Sequence, residues 1–265
     1  MIVVKAGGRV LENNMTNILN SIAAQRGHGV VFVHGGGDVV SRFEKALGIE
    51  PKIVVSPSGI RSRLTDEREI EVYNMVMSGK LGKEISAYLN ARGVRAVSLS
   101  GVDAGIIRAQ RKKRIIIMDE RGRKRIIDGG YTGSITRVDG ELLTQLLGMG
   151  LVVIISPVAL GEEGELLNID GDTAASAVAA ALKAETLALL TDVEGVIIDG
   201  QLVKKIRCGE ANALLEKIGA GMNRKVMMAA KAVEQGVGRA VICSGEGPDP
   251  LSRLEDGSGT EITPD

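Results

Sequence analysis

The sequence predicts an α/β protein built on a mostly parallel sheet with helices packed against it. Three observations carry that prediction. The first fifty residues read strand, glycine pair, helix, strand, glycine triplet, helix, the alternation expected of parallel βα units. Further apolar, β-branched runs recur at 94–99, 151–156, 186–190 and 240–242, with helical patterns between them. Aromatic residues make up only 2% of the chain and there is no Trp, so the core must be Val, Ile, Leu, Ala and Met, which suits strands covered on both faces.

The elements follow in order. Residues 2–6 form a buried strand that stops at Gly7-Gly8, and Met15, Ile18, Leu19 and Ile22 mark the helix after it. Residues 30–34 form a second strand that stops at Gly35-Gly36-Gly37, and an amphipathic helix follows over 39–47. Both glycine turns then lie at the carboxyl ends of parallel strands, where ligands of such sheets bind. Glycine lets the main chain approach an anion closely, and a helix start aims free N–H groups at it.

Residues 56–64 form a loop. Thr65 is the expected N-cap of two helices running to about Leu89, with acids in the first turn. Residues 105–138 change to short strands with a hairpin turn at Glu120-Arg121-Gly122-Arg123, a small antiparallel insert. Leu142, Leu143, Leu146 and Leu147 mark a helix, residues 173–182 an Ala-rich helix, and residues 223–234 a helix carrying Met227 and Met228. The tail after Gly245 is polar, a loop with one edge strand. No low-complexity linker and no repeat interrupts this order.

Composition excludes several functions. With 33 basic and 33 acidic residues the net charge is zero, which argues against non-specific nucleic-acid binding. The scarcity of aromatics argues against base stacking. Cys208 and Cys243 stand apart with no metal spacing, and read as reduced, buried thiols of a cytoplasmic protein. The chain opens on a strand rather than a signal peptide, and no run approaches a membrane span of about 18 apolar residues. Walker A spacing, a GxGxxG after the first strand and the protein-kinase motifs are all missing. His28 and His34 have no nucleophile or acid patterned around them and read as structural.

The candidate chemistry lies elsewhere. Lys5 ends the first strand beside Gly7-Gly8, placed either in solvent or towards an anion in the cleft. Asn168-Ile169-Asp170-Gly171-Asp172 offers capping residues, and equally two carboxylates and an amide for a substrate. Lys225 sits in the first turn of a helix, against the dipole, so an acidic neighbour or a phosphate is expected beside it. Arg61 and Arg63 are surface residues or a fork for a carboxylate. The runs 111–114 and 121–125 are solvated hairpin faces or a surface for an acidic partner. Glycine loops, two lysines and an acid without a general base fit phosphoryl transfer to a carboxylate. That nucleophile is already ionised, so catalysis reduces to positioning and charge neutralisation.

Taken together, Lys5-Ala6-Gly7-Gly8, Val33-His34-Gly35-Gly36-Gly37, Arg63-Leu64-Thr65, Asn168 to Asp172, Asp192-Val193-Glu194-Gly195 and Gly221-Met222-Asn223-Arg224-Lys225 resemble the amino acid kinase family, nearest its N-acetylglutamate kinase branch. The resemblance implies a three-layer α/β sandwich of the carbamate kinase-like type, with an acyl-substrate lobe over 1–165 and a nucleotide lobe over 166–265. It implies that Lys5 and Lys225 stabilise the transferring phosphoryl group while Asp172 holds them. Gly8, with Lys5, Asp192, Gly195, Met222 and Lys225, would bind nucleotide; Gly36, Gly37, Arg63 and Asn168 would bind the acyl substrate. The cofactor implied is ATP with Mg²⁺ held through phosphates and water, with no protein metal ligand.

The loop Gly59-Ile60-Arg61-Ser62-Arg63-Leu64-Thr65 is two residues longer than is usual in acetylglutamate kinases. With Ile127-Asp128-Gly129-Gly130-Tyr131-Thr132-Gly133 and the basic hairpin it resembles archaeal-type members acting on α-aminoadipate or glutamate attached to the small acidic carrier LysW, towards lysine or arginine. Two other readings are a kinase for free N-acetylglutamate and a non-catalytic ligand-binding regulator. Gly82 stands where relatives often have Asn. The chain lacks the N-terminal helix that joins arginine-inhibited relatives into hexamers, so a homodimer is expected.

Overall fold

The structure, a computed structural model, describes residues 1–25, 27–57, 59, 61–219 and 221–265. One eight-stranded sheet runs in the order Lys205–Arg207, Thr260–Thr263, Arg239–Ser244, Thr186–Thr191, Ile2–Ala6, Val30–His34, Val152–Ser156, Ala96–Ser100. Every neighbouring pair is parallel except Arg239–Ser244 with Thr260–Thr263.

Strand alternation divides the core into two layers. Val3, Val31, Val33 and Val153 face one cluster, which contains Ala174, Val178, Val226 and Ala229 from helices Gly171–Leu182 and Met222–Glu234. Val4, Phe32 and Ile154 face the other, with Leu11, Ile18 and Leu19 from helix Gly8–Ala24 and Ile85 and Leu89 from helix Gly82–Asn90. The result is the expected three-layer sandwich. Because side chains alternate at period two, Lys5 shares its face with Val3 and points towards the Gly171–Leu182 and Met222–Glu234 helices.

Three local expectations need correction. Asp66, not Thr65, caps helix Glu67–Asn74: its carboxylate accepts from the Arg68 and Glu69 N–H groups, and Glu69 returns a bond to the Asp66 N–H, a capping box. Thr65 is buried and takes a hydrogen bond from Asn168 instead. The path to residue 90 is not two plain helices, because Met75–Leu81 is π-helical between Glu67–Asn74 and Gly82–Asn90. The tail is not a loop with an edge strand: after a 3₁₀ turn at Pro250–Leu254, Thr260–Thr263 inserts between two other strands and buries Ile262.

The insert forms two sheets. Ile107–Arg111 pairs antiparallel with Gly133–Val138 and parallel with Val158–Gly161, which pairs antiparallel with Leu166–Asn168. Arg114–Met118 and Lys124–Asp128 form a separate hairpin.

Candidate active site

A cleft of about 640 Å³ opens at the carboxyl ends of Ile2–Ala6 and Val30–His34. Its floor is made by the two glycine turns packed back to back. The Gly35 N–H donates to the Ala6 carbonyl at 2.9 Å. A Cβ on Gly35 would lie 2.7 Å from the Gly8 nitrogen, and one on Gly8 would lie 3.2 Å from the Gly36 nitrogen. The helices starting at Gly8 and Gly37 have glycine N-caps and no side-chain cap. Elsewhere Asp66 and Asp139 cap their helices with carboxylates. The uncapped N–H groups at the cleft are therefore free for an anion.

Lys5 reaches Asp172 at 2.7 Å, and Lys225 reaches the same carboxylate at 3.0 and 2.8 Å. The ion cluster is buried: the side chains of Lys5, Asp172 and Lys225 are 8%, 9% and 14% exposed. The sequence brings them together simply. Lys5 is aimed by strand parity, Asp172 sits in the first turn of one helix, and Lys225 sits in the first turn of the helix packed beside it. Burial alone would raise the Asp172 carboxyl, but Lys5 and Lys225 hold it well below the usual carboxylate range. Burial alone would lower the Lys5 amine, yet Asp172 outweighs burial and holds it above the usual lysine value. The Lys225 amine is pushed down by burial and by the charge of Lys5, which Asp172 only partly offsets.

Of the expected acyl-binding residues, Gly36, Gly37, Arg63 and Asn168 all line the cleft, as do Lys5 and Gly8. Arg63 is already engaged. Its guanidinium donates to the fully buried Glu44, to the Gly37 carbonyl at 3.1 Å and to Ser41 Oγ at 2.6 Å. It thereby braces the glycine triplet from the side. Burial raises the Glu44 carboxyl above its ordinary range, and Arg63 opposes that shift. The Arg61 side chain, with Ser58 and Ile60 of the same loop, lies outside the described residues.

The expected nucleotide residues beyond Lys225 are placed differently. Asp192 pairs with Arg9 at 3.4 Å on the surface, Gly195 is buried where a Cβ would lie 2.7 Å from Thr260 Oγ1, and the half-buried Met222 packs on the central core. None of the three lines the cleft. Arg224, Met227, Met228 and Lys231 do. Their spacing of i, i+3, i+4 and i+7 marks one helical face, the signal that could have found them in the sequence. Tyr73, Lys112 and Asp170 also line the cleft. Asp170 accepts from Thr173 N–H and Oγ1 at 2.9 Å and pairs with Arg224 at 3.3 Å.

His34 is structural as expected. It is fully buried, hydrogen-bonded to the Gly35 carbonyl at 3.1 Å, and burial lowers its pKa to about 4. Cys208 and Cys243 are free and buried, and burial pushes the Cys243 thiol up to about 12. Gly82 has a packing reason: a Cβ there would lie 2.3 Å from Ser98 Oγ. Among the described residues no helix is long and apolar enough to cross a membrane, and no group of His, Cys, Asp and Glu is suited to hold a metal ion.

A mostly parallel α/β sheet, glycine-capped helix starts at its carboxyl edge and a buried lysine–carboxylate–lysine cluster together make a cationic cleft whose chemistry suits an anion. The amino acid kinase family model matches residues 1–244, and the chain belongs to that family. It is 50% identical to the [LysW]-aminoadipate/[LysW]-glutamate kinase of Metallosphaera sedula, over 99% of this chain and 100% of that one. The smu.665 protein of Streptococcus mutans UA159 superposes with a TM-score of 0.80 at 27% identity, over 100% of this chain and 98% of that one. Carbamate kinase from Giardia lamblia, solved with AMP-PNP, shares the fold with a TM-score of 0.72 at 17% identity, covering 100% and 98%.

Proposed function

We propose that this chain transfers the terminal phosphoryl group of ATP to the side-chain carboxylate of α-aminoadipate or glutamate carried on a small acidic, LysW-like protein, giving an acyl phosphate. The observation that carries the reading is the buried Lys5–Asp172–Lys225 cluster beside the two uncapped glycine turns. It supplies two cations where negative charge moves between oxygens, and it supplies no base because a carboxylate needs none.

In this reading residues 1–165 hold the acyl group and residues 166–265 the nucleotide. Gly36, Gly37 and Asn168 present N–H donors to the acyl substrate. Arg63 orients the triplet and faces the same cleft. Lys5, Gly8, Lys225 and the face carrying Arg224 and Lys231 take the phosphates. Asp192, Gly195 and Met222 shape the nucleotide lobe behind that face. Both Asp172 oxygens are taken by lysines, and Asp170 Oδ1 by Thr173 and Arg224. This donor set fits a Mg²⁺ held by the nucleotide's own phosphates and water.

The hairpin supports the carrier. Arg121, Arg123, Lys124 and Arg125 are exposed around the paired Ile116 and Ile126, themselves 50% and 68% exposed. Among the described residues Arg123 and Arg125 share only Asp119 as an ion-pair partner. A cationic rim around an apolar pair matches an acidic protein surface. The assembly expected is a cytoplasmic homodimer. A hydroxamate assay with the two carrier-linked amino acids and with free N-acetylglutamate tests the reading. Turnover is expected with a carrier-linked substrate; turnover with N-acetylglutamate alone overturns it.

A further inference from the structure

Gly129-Gly130-Tyr131-Thr132 forms the base of the hairpin, and its geometry concerns Lys112. A Cβ on Gly129 would lie 1.8 Å from the Lys112 carbonyl oxygen, so the two ends of the hairpin meet there only through glycine. Gly130 has a φ of +60°, and a Cβ on it would lie 2.2 Å from the Thr65 carbonyl. The Lys112 N–H donates to the Thr132 carbonyl at 2.8 Å. Arg111 Nε donates to the Gly130 carbonyl at 2.7 Å and its guanidinium stacks on Tyr131. The Tyr131 N–H donates to Thr65 at 2.7 Å, and the Tyr131 carbonyl accepts from the Asn168 N–H at 2.8 Å. The Lys112 backbone is therefore clamped to the same frame that holds Asn168.

From that fixed backbone the Lys112 side chain lines the cleft, opposite the helix that carries Arg224 and Lys231. Among the described residues neither the Lys112 Nζ nor the Lys231 Nζ makes a hydrogen bond or ion pair. Lys112 is an exposed residue at the cleft wall; partial desolvation there and the positive charge of Arg224 push its amine down, with Asp170 opposing. Lys5, Arg63, Lys112, Arg224 and Lys231 thus line the cleft, where Asp170 is the one carboxylate among the described lining residues; Lys5 is balanced by Asp172 and Arg63 by Glu44. Such an excess of cations around one space calls for a polyanion.

We infer that Lys112 is a third phosphate-binding lysine, reaching from the acyl-substrate side of the cleft to the polyphosphate chain of the bound nucleotide. This rests on the kinase reading above. The polyphosphate is favoured over the substrate carboxylate because the charged residues that share the cleft with Lys112 and act on its amine, Arg224 and Asp170, belong to the opposite half of the chain. The residue's fixed backbone lets a single amine bridge the two halves without the ordering cost of a free loop.

The test compares Lys112→Met and Lys112→Arg with Lys45→Met, an exposed lysine remote from the cleft, by titrating ATP onto the full chain and measuring KM separately for ATP and for the acyl substrate. Lys112→Met is expected to weaken ATP binding about tenfold, about 1.4 kcal/mol. Lys112→Arg should restore most of it, and the acyl-substrate KM should move little. Unchanged ATP affinity in Lys112→Met, or a rise confined to the acyl-substrate KM, overturns the assignment. Absence of acyl phosphate from the unsubstituted protein would instead refute the kinase reading, while the ATP titration still reads Lys112.

Discussion

Replacing Asp172 by Asn removes one negative charge and leaves its shape. The charge removed balances two ammonium groups at 2.7 and 2.8 Å whose side chains are 8% and 14% exposed. Breaking a buried ion pair by taking away one partner costs about 3–5 kcal/mol, because the remaining charge is left desolvated. For a chain of this size each kcal/mol moves the melting temperature by about 2–4 °C, so the expected drop is roughly 6–20 °C. The pH dependence is also fixed. Asp172 is held far below the usual carboxylate range, so its stabilisation is complete above about pH 4 and is lost as the pH falls further. The gap between the two proteins should therefore be widest at neutral pH and narrow in acid. Thermal unfolding followed by circular dichroism measures both, and the hydroxamate assay should show a loss of about 10²-fold or more in kcat. A melting temperature within about 2 °C of the unsubstituted protein at pH 7, with turnover retained, would refute the claim that Asp172 organises the two lysines.

Two further outcomes follow from the same geometry. Gly36→Ala should cost about 1–3 kcal/mol in denaturant unfolding, because its Cβ would lie 2.2 Å from Leu81 Cδ1 and 2.9 Å from Met77 Sδ; Gly37→Ala, with nothing within 4 Å, should fold as stably as the parent. His34 is neutral and buried with a pKa of about 4 against an ordinary 6.5, so the unfolded chain binds the extra proton. Stability should fall by roughly 3 kcal/mol as the pH drops from 6.5 to 4, and His34→Gln should flatten that slope.

What was legible in the sequence was local. Strand, glycine and helix follow one another within a dozen residues, so the two turns, Lys5 and the first-turn position of Lys225 could be read directly, and strand parity then dictates which layer Lys5 enters. The pairing of Lys225 with Asp172 spans 53 positions, and no local pattern reports it; only the resemblance implied it. The burial of Glu44 against Arg63 was equally invisible, since a glutamate on an amphipathic helix reads as solvated. The π-helical turn answers a tertiary demand, because Met77 and Leu81 both pack against Gly36. Thr65 and Asp66 are adjacent capping residues, and the choice between them was made by Asn168, more than a hundred positions away. Lys112 looked like one more charge in a basic run until the fold turned it into the cleft.

The central claim is that Lys5 and Lys225, held by Asp172, carry a phosphoryl group from ATP to a carrier-linked carboxylate. Hydroxamate formation with carrier-linked aminoadipate and glutamate, compared between the unsubstituted chain and Lys225→Ala, tests it most directly. ATP-dependent acyl phosphate is expected from the unsubstituted chain, with its loss in a folded Lys225→Ala; undiminished acyl phosphate formation by Lys225→Ala would contradict that role for the two lysines.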